Sequence, residues 1–361
     1  MNPSKPTDPA ELLDPIDLEI ARLIGKRTAL VREIADQDAL APVGQENARL
    51  ERLLDSLRSA TGGPDGLSDS ATESLRLTLR HIASHSRGQI DSRSVSFLGP
   101  QYSYSHLAAI KYFGESAALA PVTSIPAVFD AVHRGDAKSG LVPIENSTDG
   151  RVVDTLGMFV RRHMQICGEV LLPIHHNLLA SGQRDQITEI HSKPQALSQC
   201  REWLAANFPQ AKLVEVSSTT AAAELAAEHQ HIGAVASLPA GRAYGLEALS
   251  RNIEDRADNV TRFAVLGRDE THPTGKDKTS LLFQVHHQPG ALAAAMTVFR
   301  DAELNLTWIE SFPLPGSRNE YLFFVEFAGH RGEPNVAAAI DQLGGITSRL
   351  ETLGSYPVAV L

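Results

Sequence analysis

A carboxylate, an amide and two hydroxyls follow one another in Glu145-Asn146-Ser147-Thr148, directly after the short apolar segment Gly140-Leu141-Val142 and before Asp149-Gly150. A strand end that delivers several polar groups and then a glycine presents them on an exposed, rigidly held turn, where chemistry is commonly placed. The competing reading is an ordinary strand-to-helix turn, with Ser147 or Thr148 as helix cap. Thr261-Arg262-Phe263 opens another apolar run. Strand alternation points Thr261 and Phe263 to one face and Arg262 to the other, so hydroxyl and cation need not share a ligand. Gln195 and Gln199, four apart behind Pro194 and Ser192, fall on one helical face and offer neutral amides to a hydroxyl or carboxylate. Ser103 and Ser105, and again Ser218 and Thr219, stand at helix openings, where backbone N–H groups favour an anion. Both pairs are equally good helix caps.

The 361 residues suffice for two or three domains with real cores, and the formal net charge of -10 gives a nucleic-acid role no electrostatic support. Cys167 and Cys200 lie far apart without companion ligands, so neither a disulfide scaffold nor a metal site is expected. No stretch approaches the length of a membrane span and no apolar leader follows Met1, so the chain is expected to be cytoplasmic and to bind no membrane.

Three blocks position these residues. From Asp14 to Gln89 the pattern is helical: Asp14-Pro15 reads as cap and first helical residue of a helix that carries Ile16, Ile20, Leu23, Leu30, Val31 and Ile34, followed by helices over Gln45–Arg58 and over Asp69–Gln89. Arg27 falls on the apolar stripe of Ile16, Ile20, Leu23 and Ile34, where a lone cation is costly unless it meets an anion. Three helices hide little surface, so pairing with a second copy is expected. From Ser94 to Arg268 short apolar strands alternate with helices, the α/β pattern, including one helix over Pro194–Asn207. After the polar linker Thr271–Lys276 the order strand, helix, strand, strand, helix, strand predicts a ferredoxin-like sandwich.

The central motifs resemble those of the prephenate dehydratase family. Phe97-Leu98-Gly99-Pro100-Gln101-Tyr102-Ser103-Tyr104-Ser105, the run through Glu145 and Asn146, Ser192-Lys193-Pro194-Gln195-Ala196-Leu197-Ser198-Gln199-Cys200, Ser218-Thr219-Thr220-Ala221-Ala222 and Thr261-Arg262-Phe263 occur in the family's order. The departures are Tyr102 for a glycine, which requires another backbone shape or a ring near the site, and Lys193 for a histidine. The resemblance implies a two-lobed, periplasmic-binding-protein-like fold over 94–270 that converts prephenate to phenylpyruvate, water and carbon dioxide without metal or cofactor. It implies Thr261 as the catalytic hydroxyl. Glu145 and Asn146 would orient the substrate, Glu145 also serving as proton source if buried. Ser103, Ser105, Ser147, Ser192, Gln195, Gln199, Ser218, Thr219, Arg262 and Phe263 would complete the substrate-binding set. Arogenate dehydration and a non-catalytic amino-acid sensor are the alternatives.

The first block, 1–91, resembles the all-helical chorismate mutase domain fused to many bacterial dehydratases, with Arg27, Glu46 and Gln89 matching its ligands. Other matches fail: Ala10, Gln45 and Asp38 replace cations and His85 replaces a serine, with Arg22, Arg32 or Arg49 as substitutes. A rearranging dianion needs those cations, so weak or absent mutase activity is predicted. The last block, 278–356, resembles ACT regulatory domains through Gly290-Ala291-Leu292 and Asn305 to Pro313, with Glu310 and Ser311 retained and Phe312 in place of an arginine. That resemblance implies phenylalanine bound between paired domains as a feedback effector, in a homodimer or higher homo-oligomer.

Overall fold

The computed structural model describes residues 9–37, 39–60, 68–90, 94–313 and 321–359. The chain divides into two compact units, Met1–Ser92 with Phe113–Ala118, and Arg93–Tyr112 with Leu119–Leu361. The first holds α1 (Pro9–Asp36), α2 (Val43–Ala60) and α3 (Asp69–Gly88). α1 starts at Pro9 rather than Pro15, which lies inside the helix. Proline suits a first turn because its missing N–H has no intrahelical partner there; Pro15 leaves one carbonyl of α1 without its usual donor. Ser68 caps α3 by accepting from Ala71 N at 3.1 Å. Val31, Leu50, Leu54 and Ala83 are buried, whereas Leu12, Leu13, Ile16, Ile20, Leu23 and Leu30 are each about half exposed.

The second unit carries three sheets. β1 (Val95–Leu98), α4 (Tyr104–Phe113), β2 (Leu119–Val122), α5 (Ile125–Arg134), β3 (Ser139–Asn146), β4 (Gly150–Arg151), α6 (Val153–Arg161) and β5 (Gln165–Pro173) build most of the first. β2 escaped the sequence pattern because it is a four-residue edge strand interrupted by Pro121, which an edge tolerates. The chain then crosses into a second sheet made by β6 (Asn177–Ala180), β7 (Glu189–Ser192), α7 (Pro194–Gln199), α8 (Arg201–Asn207), β8 (Lys212–Glu215), α9 (Thr219–Glu228), β9 (Ile232–Ala236), α10 (Leu238–Ala243) and β10 (Glu247–Ser250). β11 (Val260–Gly267) returns to the first sheet, giving the order β2-β1-β3-β11-β5 with β4 beside β3; the second sheet runs β10-β6-β9-β7-β8.

The helix expected over Pro194–Asn207 breaks at Cys200, whose φ of -116° and ψ of 15° lie outside helical values. Asp255 from the β10–β11 connection caps the second half, accepting from Glu202 N and Trp203 N at 3.0 Å each.

β12 (Asp277–Val285), α11 (Ala291–Asp301), β13 (Leu306–Pro313), β14 (Tyr321–Ala328), α12 (Pro334–Ile346) and β15 (Thr347–Pro357) form an antiparallel sheet in the order β13-β14-β12-β15, with the two helices between strands as the βαββαβ pattern requires. One face of this sheet packs on the first: Val142, Ile144, Ala264 and Leu266 share a core with Leu282, Phe324 and Tyr356. Each fully buried phenylalanine in that core contributes about 1.5–3 kcal/mol relative to exposure.

Candidate active site

The site grows out of the pairing of β3 with β11. Phe263 stands opposite Pro143 and Arg262 opposite Glu145, so Ile144 is an extra residue on β3, a bulge. The bulge brings Glu145 level with Arg262 and Asn146 level with Thr261. Thr261 and Arg262 then diverge, as alternation requires.

Asn146 is held at every polar atom. Its Oδ1 accepts from Thr148 N and Asp149 N at 3.0 and 3.1 Å, and its Nδ2 donates to Asn259 Oδ1 at 2.9 Å and to Thr261 Oγ1 at 2.8 Å. Because Thr261 Oγ1 accepts from the amide, its own proton is directed elsewhere and remains available to a ligand oxygen. Asn259 Nδ2 continues the chain to Gln199 Oε1 at 3.0 Å, which lies 2.8 Å from His176 Nε2. Gln199 Oε1 can only accept, so His176 carries its proton on Nε2 and turns Nδ1 toward the Tyr104 hydroxyl at 3.0 Å. Burial holds the His176 pKa below the ordinary histidine value despite the Gln199 hydrogen bond and the Glu254 charge. Burial likewise pushes the Tyr104 phenol well up.

Gln195 and Gln199 meet, as their spacing predicts, but both amides donate to Asp149, Gln199 at 3.0 Å. Asp149, Asn259, His176 and Tyr104 are additions to the sequence-derived set. Asn259 sits two residues ahead of Thr261 and Asp149 ends the polar run at β3, which were available signals; His176 had none beyond its neighbours. Ser147 ties the turn down, its hydroxyl donating to Asp258 O at 3.0 Å and accepting from Val260 N at 2.9 Å.

Several expected ligands have other work. Ser192 is fully buried and donates to Val235 O at 2.6 Å, so it is part of the second sheet rather than a substrate contact. Ser218 caps α9 through Ala221 N at 3.0 Å, and Ser103 accepts weakly from His106 N at 3.4 Å. Ser105 and Thr219 are buried in the first turns of those helices, and Phe263 is buried in the core. Thr220 Oγ1, beside Thr219, is buried without a partner. Tyr102 keeps the left-handed backbone a glycine would adopt, φ 63°, and stacks its ring edge on His106 and Tyr244.

Arg262 does not face Thr261's side. It is buried, donating to Glu145 at 3.0 Å, Glu169 at 3.1 Å and Glu326 at 2.8 Å. Burial works against its charge, and Glu326, Tyr356, Glu169 and Glu145 outweigh it, holding the pKa above the ordinary arginine value. Glu145 is thereby an ion-pair partner of Arg262 rather than a buried acid beside Asn146.

In the third sheet a cavity of about 300 Å³ is lined by Gly290, Ala291 and Leu292 together with His286, His287 and Tyr321. Gly290 takes a φ of 82° at the start of α11. Asn305, Glu310, Ser311 and Pro313 are not among its lining residues; Glu310 bonds Arg151 instead, and Asn305, Ser311 and Pro313 are exposed.

In the first unit Arg27 meets its anion: Glu46 bonds both Arg27 and Arg87, the latter at 2.8 Å. Arg87 shares Glu46 with Arg27, and Arg22 is exposed beside Glu19. Gln89 ends α3 with its amide 2.9 Å from His85. Asp38 and the side chain of Ala10 lie outside the described residues. Among the described residues no group of three or more histidine, cysteine or acidic side chains is placed to hold a metal, and no helix is long and apolar enough to cross a membrane.

A family model described as prephenate dehydratase matches residues 95–271. A bifunctional chorismate mutase/prephenate dehydratase of Aquifex aeolicus is 39% identical over 355 residues, 97% of each chain. Among solved structures, a prephenate dehydratase from Arthrobacter aurescens in complex with L-Phe is 32% identical, with TM-score 0.67, over 73% of this chain and 90% of that one. A protein described as a novel type of quorum-quenching acylase is 33% identical, TM-score 0.67, over 74% and 98%. The acylase and the L-Phe complex are alike in fold and identity, so fold alone does not choose between them. Identity over 97% of both chains does: the chain belongs to the bifunctional chorismate mutase/prephenate dehydratase family.

Proposed function

We propose that the second unit is a prephenate dehydratase and that Thr261 is its catalytic hydroxyl. Prephenate takes up one proton, its ring C–O bond breaks to release water, and its ring carboxylate leaves as carbon dioxide while the electron pair completes the aromatic ring of phenylpyruvate. Aromatisation supplies the driving force. The protein has to assist the departing hydroxyl without over-stabilising the carboxylate that leaves. The observation that carries this reading is the Asn146 amide donating to Thr261 Oγ1, which aims the threonine proton at a substrate oxygen. A threonine is too weak an acid to protonate that oxygen outright, so it donates a hydrogen bond to it or relays a proton drawn from solvent. Asn146 orients it, and the Gln195 and Gln199 amides, which meet at Asp149, are the neutral donors offered to the substrate. The backbone N–H groups in the first turns of α4 and α9, which Ser103 and Ser218 cap, cradle the side-chain carboxylate.

In the domain reading, 94–270 is this dehydratase, 278–356 an ACT-type domain and 1–91 a chorismate mutase-type helical domain. Phenylalanine would bind between the Gly290–Leu292 segment of one copy and the Asn305–Pro313 segment of another, making the chain a feedback-inhibited homo-oligomer of the cytoplasm. The half-exposed apolar residues of α1 support pairing of two copies. Mutase turnover should be weak, since Ala10, Asp38 and Gln45 stand where a rearranging dianion needs cations.

The test is purified full-length protein with prephenate at neutral pH, following phenylpyruvate by its absorbance in alkali. Rapid formation is expected, with kcat of Thr261→Ala lowered roughly 100- to 1000-fold and KM changed far less, as for loss of one donor aimed at the transition state. Absence of product from folded wild type refutes the reading.

A further inference from the structure

One residue behind the pair Asn146 and Thr261 runs a second row. Register places Arg151 of β4 and Arg262 of β11 on either side of Glu145 of β3. Both arginines also reach the third sheet. Arg262 bonds Glu326 of β14 at 2.8 Å and lies 4.8 Å from the ring centroid of Trp308 on β13. Arg151 bonds Glu310 and lies 5.8 Å from the ring centroid of Phe312, both on β13. Glu326 is itself held by Tyr356 at 2.9 Å and Ser280 at 3.1 Å, so it cannot follow Arg262 freely.

Buried charges of this kind contribute little net stability, because desolvation offsets the attraction, but they allow few geometries. Arg262 also bonds Glu145 of β3 and Glu169 of β5, whereas Glu326 without Arg262 would keep only the neutral donors Tyr356 and Ser280 for a buried charge. A displacement of β13 or β14 must therefore move Arg151 or Arg262, and with them the strands that carry Asn146 and Thr261. The Thr261 donor is set by one 2.8 Å hydrogen bond, so a shift of a fraction of an ångström is enough to misaim it. Phe312 belongs to the same device. An arginine there would stand beside Arg151; the phenylalanine instead leaves Arg151, on the active-site hairpin, as the guanidinium at this point of β13.

We propose that Arg151 and Arg262 are positioning residues through which the βαββαβ domain sets the geometry of Asn146 and Thr261, so that an amino acid bound in its cavity is read by the catalytic row. The proposal rests on the dehydratase reading above. Its test uses full-length wild type, Arg151→Gln, Arg151→Lys and Glu326→Gln, with prephenate turnover at increasing phenylalanine. Thermal melts with and without phenylalanine report folding and effector binding independently of turnover.

Arg151→Gln and Glu326→Gln should lower kcat about 5- to 50-fold at nearly unchanged KM and shift the phenylalanine concentration for half inhibition by a similar factor, the usual range of coupling between sites. Arg151→Lys should regain part of the loss. Wild-type kcat and wild-type inhibition in both neutralised variants would overturn the proposal. So would a loss that Arg151→Lys does not regain and that raises KM in parallel, the mark of general loosening. Wild type that makes no phenylpyruvate, yet melts higher with phenylalanine, fails the dehydratase reading instead, and the proposal falls with it.

Discussion

At the scale of single residues the site depends on hydrogen-bond direction. Asn146 spends both amide hydrogens, on Asn259 and Thr261, and its oxygen accepts two backbone N–H groups, so its orientation is fixed from all sides. A carboxylate of the same shape would accept where the amide donates and would face Thr261 Oγ1 with lone pairs. Asn146→Asp should therefore lose as much kcat as Asn146→Ala, about 100-fold, although it is the closer isostere. Steady-state kinetics on the two variants decide this, and near-wild-type turnover by the aspartate contradicts the assignment. The residue types at this site were legible in Glu145-Asn146-Ser147-Thr148 and Thr261, because such a polar cluster at a strand end has few structural uses. Their partners were not: Asn146 and Asn259 are 113 residues apart, and no local pattern announces which amide meets which hydroxyl.

Secondary elements deliver these groups through irregularities rather than ideal geometry. The β3 bulge at Ile144 turns Glu145 toward Arg262 and Asn146 toward Thr261, and alternation counted along β3 alone does not reveal it. The break at Cys200 ends α7 where Gln199 can reach Asn259 and His176, while Asp255 restarts the helix as α8. Loss of that cap in Asp255→Ala should lower unfolding free energy by about 1–2 kcal/mol. Urea unfolding measures it, and an unchanged midpoint would deny Asp255 its capping role. Sequence periodicity joined α7 and α8 because both halves keep helical spacing; only a carboxylate from the β10–β11 connection makes the interruption affordable.

At the scale of the molecule, histidines buried in different parts of the second unit bind stability to pH. Burial holds His106, His176 and His330 below the ordinary pKa of 6.5. The unfolded chain then takes up protons that the native state refuses, so their contribution is complete above about pH 6.5 and is lost as pH falls toward the depressed native values. Thermal melts should show a lower Tm at about pH 5.5 than at about pH 7.5, and an equal Tm would contradict the burial of these rings in neutral form. The order of blocks, the α/β alternation, the βαββαβ pattern and the residues able to do the chemistry are written in the sequence, because periodicity and turn chemistry are local. What tertiary structure alone decided is the pairing of distant groups. Ser192 serves the second sheet through Val235, Arg87 joins Arg27 at Glu46, and Arg262 turns from the substrate side to the third sheet. A buried charge or hydroxyl takes whichever partner the packed fold brings within hydrogen-bond reach, and that partner is set by strand register and sheet stacking, which the linear chain does not record.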